Sequence, residues 1–481
     1  MVLVKRLHKS LLLAVSGLPL WMLWGCQGLT NSTTTPPTSP PPPPATINSI
    51  KHIIFMAQEN RSLDTYFGQL PAYWAANGYP QASGQFNGLP TNASNPAYNG
   101  TTTPGTTTVP AYHIATECID NLTPSWDESH EDWNLQSPAS STPLNNGFVY
   151  NGAVFAIAEG YPDIQGYRAM GYYDWTDLPF YYFMASNFAT SDNWFSPALD
   201  RTQVNRMYLM AATSQGYAYP PGTDAADNAP LTATTIFDEL TAAGISWKIY
   251  ATDYNLDPTN HGTYLTQFAK YAPPNPLPAN VVPGTDFLTD IQNDATFPSV
   301  AFIEGGYLSG RDEHPDNNVQ SGASYVASLI NGFMASPSWS DSVFILTYDE
   351  AGGTYDHVAP VAAVNPDGIA PVDLLPGDIC TSGGSNCDFN YTGFRVPMIV
   401  ISPFTKKNYV DHTAADYTAI LKFIETRFSL QPLTQRDAAQ MDMTEFFDFQ
   451  NVPWATPPAN VPSQPTNGTC DVTDLGYPTN P

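Results

Sequence analysis

The chain has 481 residues, with 17 Lys plus Arg against 44 Asp plus Glu and a formal net charge of −27 at pH 7. Such acidity argues against nucleic acid as a partner, because a phosphate backbone is gripped through an excess of basic side chains. It does not exclude a phosphate substrate, since a bound cation reverses the field locally.

Residues 1–26 carry Lys5, Arg6 and Lys9, then an apolar run over 11–24 and no acidic residue, the pattern of an export signal. The run ends in Leu23-Trp24-Gly25-Cys26, which resembles a bacterial lipoprotein cleavage box with Cys26 as the lipid-modified residue. Trp24 is bulkier than such boxes usually carry, so a plain cleaved signal peptide and an uncleaved anchor are the alternatives. Residues 27–46 are dominated by Ser, Thr and Pro, an extended linker that would hold the rest of the chain off a membrane surface. The remaining residues, 47–481, suffice for one large catalytic domain.

Residues 50–57 read as a short buried strand that ends in Gln58-Glu59-Asn60-Arg61-Ser62. Residues 68–123, rich in Gly, Pro, Asn and Thr, form a loop-rich insertion with no catalytic residue assigned. The aromatic-rich stretch 161–195 serves an ordinary core better than a lipid groove. Helical spacing occurs over 234–243, 325–335 and 418–428, and strands over 246–250, 298–303, 342–348 and 395–402. Strands alternating with such helices predict a three-layer α/β/α sandwich around a mainly parallel sheet, with ligands collecting beyond the carboxyl ends of its strands.

Cys118, Cys380, Cys387 and Cys470 are an even number in an exported chain, which predicts two disulfides. The six residues between Cys380 and Cys387 form a flexible loop that closes readily, leaving Cys118 for Cys470. A zinc cluster is the weaker alternative, because the spacings are long and no histidine is close in sequence.

Two acidic segments at strand ends carry the chemistry. Glu59, Asp349 and Glu350 offer carboxylates, Asn60 an amide oxygen and Thr202 a hydroxyl, an oxygen-dominated set that favours Mg, Ca or Mn and leaves Zn as the alternative. Taken singly, an acidic pair at a strand end is more often a solvated turn or a helix cap. The run Asp349-Glu350-Ala351-Gly352-Gly353-Thr354-Tyr355-Asp356-His357 is denser in ligand types than a mere turn requires.

Five blocks in order resemble the bacterial non-specific phospholipase C and acid phosphatase family. They hold Glu59-Asn60-Arg61-Ser62 with Phe67-Gly68, Asp177-Leu178-Pro179 with Thr202-Gln203-Val204-Asn205-Arg206, Glu313-His314-Pro315, Asp349-Glu350 with Asp356-His357-Val358, and Arg395-Val396-Pro397 with Ser402-Pro403. The resemblance implies an alkaline-phosphatase-like fold and one or more divalent metal ions held by Glu59, Asn60, Asp349 and Glu350. It implies Thr202 as a nucleophile that forms a phosphothreonine, with His130 and His314 as catalytic groups at the phosphate. Asn205 and His357 are assigned to phosphate binding; the alternatives are that Asn205 fixes the Thr202 turn and His357 orients the Asp349-Glu350 loop. Arg61 and Arg206 would grip phosphate or pair with nearby carboxylates, and His52, His113, His261 and His412 are read as structural.

The implied function is hydrolysis of phosphate esters of the phospholipase C type, with a phospholipid or phosphomonoester substrate and membrane association through an N-terminal lipid. The alternatives are an acid phosphatase acting on soluble phosphomonoesters and a non-catalytic surface-binding lipoprotein. A sulfatase or phosphoglycerate-mutase relative is less favoured, because the sulfatase cysteine motif is absent.

Overall fold

The computed structural model describes residues 45–80, 86–222, 226 and 228–477. The export signal, Cys26 and all of the linker except Ala45 and Thr46 lie outside the described residues.

Among the described residues an eight-stranded sheet is built from β1 (His52–Gln58), β2 (Ala189–Ser191), β3 (Trp247–Ala251), β4 (Val281–Pro283), β5 (Val300–Glu304), β6 (Ser342–Tyr348), β7 (Met398–Ile401) and β8 (Tyr409–Asp411). Its order is β8-β2-β7-β6-β1-β5-β3-β4. Only β7 runs against its neighbours, so the sheet is mainly parallel, as the sequence predicts. The central strands β1 and β6 are buried at every residue. Continuous apolar runs such as Ile53-Ile54-Phe55-Met56 and Val343-Phe344-Ile345-Leu346 suit a sheet covered on both faces.

The principal helices are α1 (Trp126–Trp133), α2 (Phe148–Glu159), α3 (Thr202–Ala211), α4 (Ile236–Ala242), α5 (Val319–Met334) and α6 (Ala419–Phe428). Side chains alternate across a strand, so Phe55 and its partner Phe302 face one side, while Ile54 and its partner Phe344 face the other. Phe237 of α4 packs on Phe302, and Phe333 of α5 on Phe344, with ring centroids 6.3 and 6.0 Å apart. Helices therefore cover both faces, which makes the three layers.

α5 begins at Val319, ahead of the expected 325, because Asn318 accepts from the backbone N–H groups of Gln320 and Ser321 and so starts the helix where small residues hide the apolar period. The edge strands β4 and β8, and β2 next to β8, span three residues each, too few for periodicity to reveal. Tyr173, Tyr181, Tyr182 and Trp194 are fully buried, so the aromatic stretch is core. Both disulfides form as expected, Cys118 with Cys470 and Cys380 with Cys387.

Candidate active site

β1 and β6 are neighbours in register, Gln58 beside Tyr348, so the next residues of each strand leave the sheet side by side. Asn60 turns there with φ 61°, a left-handed conformation that asparagine tolerates. Its backbone N–H donates to Asp349 Oδ1 at 3.0 Å, and the Glu350 N–H donates to the same oxygen at 2.8 Å. The Arg61 N–H donates to the Glu350 carbonyl at 3.0 Å, closing the two strand ends on each other. Gly352 makes this approach: a Cβ there would sit 2.3 Å from the Asn60 carbonyl oxygen.

Thr202 is the first residue of α3, after an extended Arg201. Its hydroxyl has two acceptors in reach, Glu59 Oε2 at 3.1 Å and Asn60 Oδ1 at 3.3 Å. The turn before it is fixed by Asn205, whose amide donates to the Asp200 carbonyl at 2.6 Å and accepts from the Ala198 N–H at 3.0 Å. Asn205 thus braces the turn that carries Thr202.

Behind these groups stands Arg206, fully buried, with Nη2 2.6 Å from Glu59 Oε1, Nη1 3.4 Å from Glu304 Oε2 and Nε 3.7 Å from Asp349 Oδ2. It pairs with carboxylates and does not face a substrate space. His314 stands on the other side, Nδ1 2.7 Å from Asp312 Oδ2 and Nε2 3.9 Å from Glu59 Oε2. Burial lowers its pKa, but the hydrogen bond to Asp312 and the charges of Glu59, Asp312 and Asp349 outweigh burial and push it up to about 9.

The carboxylates are under-neutralised. Burial, and then the charge of Asp349, hold both Glu59 and Glu350 well above the usual carboxylate range. Asp349 Oδ2, Glu350 Oε1 and Asp200 Oδ2 are buried without a hydrogen-bond partner. Unpaired buried lone pairs beside a neutral hydroxyl and an amide oxygen are what a hard divalent cation satisfies, so the donor set fits one. Three clusters of His, Asp and Glu among the described residues bring their ligand atoms within 4.8 Å of one another: His52 with Asp294 and Asp341, Asp64 with Asp356 and His357, and His113 with Asp174 and Asp177. The set of Glu59, Asp349 and Glu350 is not one of them; its oxygens are more widely spread.

A cavity of about 520 Å³ opens on the Glu59 side, lined among others by Gln203, Asp253, Tyr264, Tyr307 and Leu308. Its size matches that of small-molecule sites.

Two predicted histidines lie elsewhere in their bonding. His130 is fully buried in α1, with Nδ1 2.7 Å from the Trp126 carbonyl oxygen and Nε2 3.4 Å from that of Asn386. Burial lowers its pKa to about 4, so a neutral ring is held by backbone one turn back and across the Cys380–Cys387 loop. His357 ties its loop to the Asp64 carboxylate at 2.7 Å and to Asn87 Oδ1 at 3.0 Å, beside Arg395, which binds Asp64 and Asp356. Arg61 is buried between the rings of Tyr66 and Tyr173. Asp200, Glu304 and Asp312 were not expected at the site. Glu304 ends β5 just as Glu59 comes after β1, and Asp312 precedes His314 by two residues, so both carried a local signal.

The model of the family described as Phosphoesterase matches residues 50–431. Phospholipase C B of Mycobacterium tuberculosis is 31% identical over 461 residues, covering 87% of this chain and 80% of the relative. Phospholipase C A of the same organism is 30% identical over 446 residues, covering 86% and 80%. The hemolytic phospholipase C of Pseudomonas aeruginosa is 28% identical over 445 residues, covering 84% of this chain and 57% of that protein. Among solved structures, a protein of the alkaline phosphatase superfamily from Vibrio parahaemolyticus aligns over 78% of each chain with a TM-score of 0.32 and 13% identity.

Proposed function

The chain belongs to the phosphoesterase family, enzymes that hydrolyse phosphoric esters, and from that premise we propose that it cleaves a phospholipid in the manner of a phospholipase C, with Thr202 as nucleophile. The observation that carries this reading is the Thr202 hydroxyl at hydrogen-bond distance from Glu59 and Asn60, at the head of α3 and beside the cavity. The N-terminal amides of α3 favour a phosphate there.

Glu59, Asn60, Asp349, Glu350 and Thr202 would hold a divalent cation, which would act as a Lewis acid toward the phosphate and the hydroxyl. Glu59 Oε2 takes the Thr202 proton as Oγ attacks phosphorus and the ester bond to the diacylglycerol oxygen breaks. His314, charged at neutral pH and held by Asp312, supplies the proton that the leaving alkoxide needs. Water then attacks the phosphothreonine, releasing the phosphorylated head group and restoring Thr202. Arg206 holds Glu59 in place throughout. The cavity accepts the head group, while the bulk of the lipid stays outside. Export, with lipid attachment at Cys26, belongs to the same proposal.

The test assays the mature domain on phosphatidylcholine vesicles and on a soluble aryl phosphate, with and without chelator, beside Thr202→Ala and His314→Asn. Cleavage of the lipid that falls by about 10³-fold or more in Thr202→Ala is expected. Cleavage of the aryl phosphate alone would make the protein a phosphatase, and undiminished turnover in Thr202→Ala would remove the nucleophile.

A further inference from the structure

α2 is apolar on both sides. Phe148, Val149, Ala153 and Ala156 are buried against the body, yet on its opposite face Val154 is 39% exposed and Ile157 52%. After the left-handed cap at Gly160 the chain turns through Tyr161 and Pro162 to Ile164, which is 50% exposed. A helix on the surface of a water-soluble body ordinarily turns a polar face outward. Between Val154 and Ile164 the one outward charge is Glu159; Asp163 turns inward, its side chain 6% exposed, and pairs with Arg168 at 3.2 Å.

The turn at Ile164 is tied toward the mouth of the cavity on the Glu59 side: Asp163 pairs with Arg168 at 3.2 Å, Arg168 Nε donates to the Asp120 carbonyl at 3.1 Å, and the Ile119 N–H donates to the Pro315 carbonyl at 2.8 Å. Tyr307 and Leu308 line that cavity and are 51% and 57% exposed. Asp316, next to Pro315, accepts from Tyr307 Oη at 3.4 Å. One apolar rim thus runs from α2 to the opening that leads to Glu59 and Thr202.

We propose that this rim, formed by the second half of α2, the turn to Ile164, and Tyr307 with Leu308, seats the protein on a zwitterionic lipid surface. The inference rests on the phospholipid reading of the same site. Two observations choose the occupant. An enzyme that draws its substrate from a bilayer needs its cavity mouth at the interface, and the exposed aliphatic and tyrosine side chains surround that mouth. The second is charge: no lysine or arginine occurs between Arg61 and Arg168, Arg311 near Tyr307 and Leu308 lies over the Tyr325 ring at 5.1 Å, and the chain as a whole is strongly acidic. Anionic lipid would therefore be repelled, and binding depends on burying apolar side chains among neutral head groups.

Full-length protein carrying Cys26→Ser, so that no N-terminal lipid contributes, is floated with phosphatidylcholine vesicles and with phosphatidylglycerol vesicles, beside the same protein with Ile157→Asp or Ile164→Asp. Both changes lie at exposed positions, and thermal melting and turnover of a soluble aryl phosphodiester check that the fold and the catalytic groups are intact. The Cys26→Ser parent is expected on phosphatidylcholine in preference to phosphatidylglycerol. Each variant should lose about tenfold or more in vesicle partitioning and cleave vesicle lipid correspondingly more slowly, with soluble turnover unchanged. A tryptophan at Ile157 should shift its emission to the blue when phosphatidylcholine vesicles are added. Equal flotation of parent and variants overturns the proposal, as does a parent that stays off the vesicles while Ile157→Asp abolishes self-association, which would make the face a contact between copies. Flotation that depends on Ile157 without any lipid cleavage would leave the docking face standing and sink the phospholipase reading.

Discussion

Arg206 Nη2 lies 2.6 Å from Glu59 Oε1, and both side chains are almost wholly buried. A buried arginine is costly unless its donors are used, and this one spreads them over Glu59, Glu304 and the Ala57 carbonyl. The pair therefore aims the other oxygen of Glu59, Oε2, at the Thr202 hydroxyl. The positioning is geometric, so a lysine of the same charge does not replace it.

Arg206→Lys is expected to lower kcat by about tenfold or more with little change in KM, because the phosphate contacts stay and the aim of Glu59 is lost. Arg206→Met should go further and destabilise the fold by about 3 kcal/mol or more, since three carboxylates lose their buried cation. Steady-state kinetics and denaturant unfolding separate the two effects. An Arg206→Lys enzyme with wild-type kcat would show that Glu59 needs no such support.

Gly352 has φ +70°, and a Cβ there would meet the Asn60 carbonyl oxygen at 2.3 Å. Gly368 has φ +77° with nothing within 4 Å of the same atom. Alanine at Gly368 should cost about 1 kcal/mol, the strain of a left-handed non-glycine residue alone. Alanine at Gly352 adds a backbone collision that pushes the Asp349-Glu350 loop off Asn60, so it should cost about 2 kcal/mol more and reduce activity about 100-fold. Equal melting temperatures for the two variants would contradict this account.

Much of this was legible beforehand for a physical reason. β1 and β6 are uninterrupted apolar runs, so the residues after them had to lie at strand ends, and adjacent parallel strands bring Glu59, Asn60, Asp349 and Glu350 together. Thr202 opens a helix and has no local signature; only the resemblance singled it out. Arg206 and Glu304 meet across 98 positions of sequence, a contact that no periodicity encodes. His130 likewise was named by the resemblance, and its helix turns one ring nitrogen onto the Trp126 carbonyl four residues back.

Glu425 in α6 is 2% exposed, and both its carboxylate oxygens lack a donor. Burial and the neighbouring Asp437 raise its pKa from 4.5 to about 9. As pH rises above 4.5 the unfolded chain releases this proton first, so the folded state binds more protons and loses stability progressively until pH 9. Glu425→Gln removes the titration. Its melting temperature should equal that of the wild type at about pH 4, apart from any constant offset, and should exceed it by a margin that widens from about pH 5 to about pH 9. A pH-independent difference would place the carboxyl in an ordinary solvated state.

The cation site can be tested without turnover. Glu59 and Glu350 are held above the usual carboxylate range by burial and by Asp349, and Asp349 Oδ2 and Glu350 Oε1 are buried without donors. Gathering these groups is unfavourable to the folded state by itself, and a ligand that binds only when they are gathered stabilises the fold by mass action. At about a hundred times its dissociation constant such a cation adds about 2.7 kcal/mol. Calcium, magnesium, manganese and zinc, added singly to chelator-treated protein, should separate by the size of the rise in melting temperature. Because the donors are oxygens, the harder ions should produce the larger rise at equal concentration. Asp349→Asn should melt higher than wild type in chelator, where it relieves repulsion, and should respond less to the cation. A cation response that Asp349→Asn leaves intact would move the metal to another cluster, and His113 with Asp174 and Asp177 would then be the first to mutate.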